Sequence, residues 1–317
     1  MPARSSPPRI EIGTWPSPIV RLDRVSEETA CELYVKVEDA AAWSGNKVRK
    51  LEYLLADARP SHPVVTAGVG TSVWTAAVAY YAHLLGFEAV VGLAGPVPDP
   101  LRAMYARLGT RVITARRDAA LPLVALQARR VAGRAARWLP FGGSGGVGDF
   151  GSAQAGSEIA AAVADGTAPR PRAIFVASGT GGSAGGVAAG LGAAGLGATV
   201  IAVRAAPWPL GTGSLVRVRA RRALRALTKV GLARPHHVLG PIEAESRFFA
   251  PGYARSNSPT DEAVALGDEA GLVVERTYGG KALAAAVAAA RRGMPGPLLM
   301  LLTSPSVQVP PDLAHIR

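Results

Sequence analysis

Short β-rich runs alternate with longer Ala-rich stretches of helical length along most of these 317 residues. Strand-like runs occupy residues 63–69, 87–93, 111–115, 172–177, 199–204 and 297–302. Residues 71–85, 100–108, 122–131, 152–164, 184–194, 215–230, 260–270 and 280–291 read as helices. A helix between two strands makes a crossover, so the pattern predicts α/β architecture. Its sheets should be open, twisted and mostly parallel, flanked by helices on both faces. Ligands of such sheets bind at the carboxyl ends of the strands, so the strand-to-helix junctions are where chemistry should lie. The chain is 49% apolar and 18% charged, a globular composition long enough for one large or two smaller domains.

Several classes are set aside early. No apolar run approaches the ~20 residues of a membrane span, and Met1-Pro2-Ala3-Arg4-Ser5-Ser6-Pro7-Pro8 has no signal-like apolar core. A cytoplasmic protein is the expectation. The single cysteine, Cys31, rules out an internal disulfide or multi-cysteine zinc site and reads as a small buried hydrophobe. Histidines at 62, 83, 236, 237 and 315 make no metal-ligand spacing, so no metal is expected. The net charge of +12 is densest at Arg217, Arg219, Arg221, Arg222 and Arg225. That spacing suits the polar face of a surface helix. No aromatics interleave with it as a nucleic-acid stacking platform requires, and no nucleic-acid partner is expected.

Three junctions carry chemistry. A β-like run, Glu32-Leu33-Tyr34-Val35-Lys36-Val37-Glu38-Asp39, precedes Trp43-Ser44-Gly45-Asn46-Lys47-Val48-Arg49-Lys50-Leu51-Glu52-Tyr53, which opens a helical pattern. A lysine there can form a Schiff base with an aldehyde cofactor; the alternative is a basic first turn with Lys47, Arg49 and Lys50 in solvent. Strand, glycine turn and helix follow in Ile174-Phe175-Val176-Ala177-Ser178-Gly179-Thr180-Gly181-Gly182-Ser183-Ala184-Gly185-Gly186. Its backbone N–H groups and helix start suit an anion. No Lys-Ser or Lys-Thr follows the glycines as in a Walker loop, and no acidic residue lies where a dinucleotide's ribose partner belongs. The third junction is Val64-Val65-Thr66-Ala67-Gly68-Val69-Gly70-Thr71-Ser72-Val73-Trp74-Thr75, and Gly142-Gly143-Ser144-Gly145-Gly146-Val147-Gly148 reads as a hinge or site loop.

Residues 45–53, 142–148, 178–186 and 276–282 resemble the D-cysteine desulfhydrase and 1-aminocyclopropane-1-carboxylate deaminase family, which uses pyridoxal 5'-phosphate (PLP) on the fold-type II scaffold. The resemblance extends from about Ile10 to Leu302. It implies a small domain, residues 48–155, inserted into a larger PLP-binding one, residues 1–47 and 156–317, in a homodimer. Lys47 would carry the cofactor beside Asn46, with Gly179, Thr180, Gly181, Gly182 and Ser183 cradling its phosphate. The family has Gln-Ser-Asn where this chain has Gly70-Thr71-Ser72. Thr71 would cap the helix, hold the substrate carboxylate and help handle protons. Ser72 would replace the asparagine that meets the cofactor's ring oxygen, and Val73 and Trp74 would complete the substrate side, although Trp74 also suits the core.

Further on, Phe248-Phe249-Ala250-Pro251-Gly252-Tyr253 and Thr277-Tyr278-Gly279-Gly280-Lys281-Ala282 match family segments. Tyr253 and Tyr278 would line the site, with Tyr278 the better placed for proton transfer; each could equally be a buried ring with a satisfied hydroxyl. Gly279 stands where the cyclopropane deaminase has the glutamate that protonates the pyridine nitrogen, which argues against ring opening here. Thr303, with Ser306 second, is the hydroxyl expected to face that nitrogen. The resemblance implies β-elimination from a β-substituted amino acid such as D-cysteine, giving a keto acid and ammonia. A β-replacement synthase and a non-catalytic phospholigand-binding protein are the alternatives.

Overall fold

In the computed structural model, residues 7–38 and 43–303 are described. The chain builds β1 (Ile19–Arg21), α1 (Asp23–Thr29), β2 (Leu33–Val37), α2 (Asn46–Leu54), β3 (Val64–Val69), α3 (Val73–Leu84) and β4 (Ala89–Ala94). Next come α4 (Asp99–Arg107), β5 (Arg111–Ala115), α5 (Leu121–Ala132), β6 (Arg137–Trp138), α6 (Gly148–Ala164), β7 (Ala173–Ser178) and α7 (Gly182–Ala193). The last elements are β8 (Thr199–Arg204), α8 (Gly213–Lys229), β9 (Ile242–Glu245), α9 (Ser258–Glu269), α10 (Gly279–Arg291) and β10 (Leu298–Leu302).

Two sheets result. The larger runs β1-β2-β10-β7-β8-β9 and the smaller β5-β4-β3-β6. Every pairing is parallel except β1 with β2. The central strands β10 and β7, and the middle of β8, read as near-continuous apolar runs because both faces are covered. Val35, Phe175, Val203 and Met300 pack under α1, α9 and α10. Their alternates Ile174, Val176, Leu299 and Leu301 pack against α6, α7 and α8. The smaller sheet packs one face against α3 and α4, and the apolar side of α2 (Val48, Leu51, Leu54) joins that core.

β10, from the end of the chain, pairs with both β2 and β7, matching Met300 to Val35 and to Phe175. The central register therefore brings the carboxyl end of β2, the glycine turn after β7 and Thr303 to one edge. Four elements carry no strong pattern in the sequence: β1, α1, β6 and β9. The strands among them are two to four residues long, at least partly exposed, and lie at sheet edges, where neither face imposes an apolar run.

Candidate active site

Helix α2 starts abruptly. Ser44 (φ 76°) and Gly45 (φ 56°) take left-handed backbone in succession and turn the chain straight into Asn46 and Lys47. The helix then presents different faces. Val48, Leu51 and Leu54 enter the smaller sheet's core. Arg49 and Glu52, both fully buried, engage charged and polar partners. Lys47 and Lys50, three residues apart, share one side as i,i+3 positions do. The solvent alternative for this turn fails, because Lys47 is half-buried while Arg49 and Lys50 are buried.

Burial brings the Lys47 amine down to about 8, opposed by the field of Glu275. A buried cation without close compensation favours its neutral form. Asn46 ties the helix start to both neighbours. Its backbone N–H donates to the Thr303 carbonyl at 2.9 Å, and its side-chain amide donates to Ser183 Oγ at 2.9 Å. Thr303 is buried at the end of β10; Ser306 lies outside the described residues.

The glycine turn sits against a second loop. Gly181 takes φ 79° and precedes α7 with no side-chain cap, leaving the helix's first N–H groups for another acceptor. Thr180 and Ser144 share a hydrogen bond of 2.5 Å between hydroxyls. A side chain at Gly182 would begin 2.1 Å from Ser144 Oγ. One at Gly179 would begin 3.3 Å from the Tyr278 ring. Both glycines are therefore set by contacts from other segments.

Two cations attend these loops. Lys50 donates to the Gly142 carbonyl at 3.0 Å, and burial takes its amine down to about 8. Arg219 of α8 reaches the space beside Gly145. Neither is marked for the site by the sequence motifs. The spacing of Lys50 three residues beyond Lys47 was the available signal, while Arg219 was assigned only to a basic surface face.

Hydroxyls from two segments meet. Tyr278, the N-cap of α10, donates to the Tyr253 hydroxyl at 3.3 Å, and Thr71 lies close enough to Tyr253 to hold its phenol down against burial. Burial lifts Tyr278 well above its ordinary value, reinforced by Tyr253, and burial also lifts Tyr253. Both phenols stay neutral at physiological pH.

Placement differs from expectation at three positions. Ser72, not Thr71, caps α3, accepting from the Thr75 N–H at 3.5 Å. Thr71 is exposed, on the side of Tyr253. Trp74 takes the core reading: it is 3% exposed and its indole N–H donates to Thr66 Oγ1 at 2.9 Å. Val73 packs partly against the same core. At Gly279, a side chain would begin 2.9 Å from Leu302 and 3.5 Å from a Glu275 oxygen. A carboxylate thus stands beside that position after all. It accepts from the backbone N–H groups of Thr277, Tyr278 and Gly279 at 2.5–2.8 Å.

The donor set fits a phosphate-bearing aldehyde. An uncapped helix start among glycines, flanked by hydroxyls and two cations, suits a phosphate. A half-buried amine near neutrality on the adjoining helix suits an aldehyde carbon. Open hollows of about 400 and 440 Å³ lie elsewhere, at the amino ends of β7 and β8 beside Arg172 and Thr199.

Fold and site together define the fold-type II class of PLP enzymes. Comparison agrees: the family described as pyridoxal-phosphate dependent enzyme matches residues 10–304, and the chain belongs to that family. D-cysteine desulfhydrase of Yersinia pestis (strain Pestoides F) is 30% identical over 296 residues, 87% of this chain and 86% of the relative. A putative 1-aminocyclopropane-1-carboxylate deaminase of Pyrococcus furiosus is 33% identical over 192 residues, 57% of each chain. The crystal structure of an ACC deaminase homologue shares the fold at a TM-score of 0.79 and 24% identity, covering 95% of this chain and 93% of that one. The cofactor is pyridoxal 5'-phosphate. No helix among the described residues is long and apolar enough to cross a membrane.

Proposed function

We propose that this PLP-dependent enzyme is a lyase that removes the β-substituent from a β-substituted amino acid such as D-cysteine, releasing a keto acid and ammonia. The observation that carries the reading is the pair of hydroxyls Tyr253–Tyr278, which closes on the loop at Gly179. Its two phenols keep their protons, and burial brings the Lys47 amine down to about 8.

Lys47 would hold the cofactor, with Gly179, Thr180, Gly181, Gly182 and Ser183 around its phosphate and Thr303 toward its ring nitrogen. When bound, PLP supplies an electron sink for negative charge at the substrate Cα. Neutral Lys47 then accepts the Cα proton, since an amine titrating near the working pH is an effective base. Tyr278, protonated and hydrogen-bonded to Tyr253, can donate a proton to the departing β-substituent. Exposed Thr71 is the proposed partner of the substrate carboxylate. Ser72, engaged with Thr75, contributes chiefly by holding that loop in place.

The test is release of sulfide, ammonia and keto acid from D-cysteine, with L-cysteine and O-substituted serines alongside. Lys47→Ala should abolish release and also the cofactor's visible absorption band; full turnover in that variant refutes the assignment. The departure at Gly70-Thr71-Ser72 favours β-replacement as the second reading, which a new amino acid formed on adding a thiol would reveal. A homodimer in the cytoplasm accompanies the proposal and is checked by sedimentation and cell fractionation.

A further inference from the structure

Tyr253 and Tyr278 meet hydroxyl to hydroxyl although 25 residues separate them. Tyr278 rides on α10. Tyr253 ends an irregular run that follows the turn Arg247–Phe249, and no regular element holds it against α10. Lys281, one turn into α10 beyond Tyr278, is fully buried. Its amine donates to the Phe249 carbonyl at 3.0 Å and the Gly252 carbonyl at 2.7 Å, and stands 5.0 Å over the Phe249 ring. Arg204 covers the same ring at 4.5 Å. The Asn257 amide takes the carbonyl between these two, at Ala250, at 2.7 Å. The run that presents Tyr253 is therefore held by its carbonyls from α10 on one side and from the start of α9 on the other.

A buried ammonium is a costly way to fill core. Methionine would occupy similar volume without desolvating a charge, and buried charges persist where their specific bonds are needed. The bonds Lys281 makes all go to the backbone carrying Tyr253 and to the aromatic ring beside it.

We propose that Lys281 is a positioning residue that sets the contact between the Tyr253 and Tyr278 hydroxyls. The inference rests on reading those tyrosines as the proton-handling pair, and its primary test does not need that reading. Lys281 touches no reacting atom; it acts through the segment 249–253.

The decisive measurement is an alkaline titration of the PLP-loaded protein, following phenolate absorbance near 295 nm while circular dichroism monitors the fold. In the parent protein burial should keep Tyr253 and Tyr278 titrating above the ordinary phenol range. In Lys281→Met one additional tyrosine should titrate near pH ~10, the model-peptide value, and that increment should vanish in Lys281→Met/Tyr253→Phe. A folded Lys281→Met with no additional titrating tyrosine overturns the proposal, as does an increment that survives Tyr253→Phe. Should Lys281→Met not fold, Lys281→Gln, which keeps an N–H donor at shorter reach, is titrated in its place and judged by the same increment.

Kinetics give a second reading. Lys281→Met should lower kcat about 10- to 100-fold, the scale of a misplaced reacting group, with no further loss in a Tyr253→Phe background. Equal losses in both backgrounds overturn the proposal. Absence of β-elimination by the parent enzyme would sink the functional reading and leave the titration to judge Lys281.

Discussion

The Lys47 amine connects burial to chemistry at a single atom. Enclosure disfavours its cationic form and the Glu275 field resists that, leaving it near 8 against 10.5 for a free lysine. Only a neutral amine attacks an aldehyde. The rate of PLP capture by the apo-protein should therefore fall about tenfold per pH unit below ~8 and level off above it. A midpoint near 10 in stopped-flow absorbance would refute the shifted amine. Glu275→Gln removes the opposing field and should move the midpoint lower. The linked effect on stability has a definite sign. Between about 8 and 10.5 the unfolded chain binds a proton here that the folded chain does not, so this contribution to apo-protein stability rises with pH across that window. Of the residues proposed at this scale, Lys47, Asn46, Tyr253, Tyr278 and the glycine turn stand out in the sequence because each sits in a contiguous motif. Lys50 and the role of Lys281 are not, because their partners lie 92 and 29–32 residues away, nor is Glu275, whose field reaches Lys47 from a distant segment.

Helix α2 shows how an element holds such a residue still. Arg49 donates to Glu38 and Glu158, its guanidinium stacking 3.6 Å over Trp15. Glu52 accepts from the backbone of Ile12 and Gly13 and from the Trp15 indole. The N-terminal segment 9–17 is thereby fastened across the back of α2, with Lys47 on another side. Removing one partner from a buried ion network strands the others, so Arg49→Met should destabilise the fold by ~3–5 kcal/mol. Chemical denaturation checks this, and a loss under 1 kcal/mol would show that Glu38 and Glu158 find other partners. The helix itself was legible from its apolar spacing. Its buried polar face resembles an ordinary solvated one in sequence, since Arg and Glu at i,i+3 look alike in water and in a core.

Across the whole molecule, the glycine turn proposed for the phosphate packs against the loop at 142–146, which follows β6 of the smaller sheet. Gly182→Ala places a methyl on Ser144 Oγ and close to the Ser144 backbone. Such overpacking costs ~1–3 kcal/mol and should weaken PLP binding about 5- to 150-fold by equilibrium titration. Ser144→Gly in the same chain should recover most of that loss; no recovery would place the clash elsewhere. The alternation of β-rich and Ala-rich runs by itself determined the α/β class, the parallel sheets and the sites of the loops, because a strand covered on both faces is mostly apolar and a crossover is usually helical. The sequence also marked the Lys47 turn and the glycine turn, whose backbone demands are local. Only the tertiary structure decided that Ser72 rather than Thr71 caps α3, that Trp74 belongs to the core, and that Glu275 brings a carboxylate beside Gly279. Those contacts span only three to eight residues, but which hydroxyl caps, which ring turns inward and where a carboxylate settles depend on the packing around each turn, which no local pattern records.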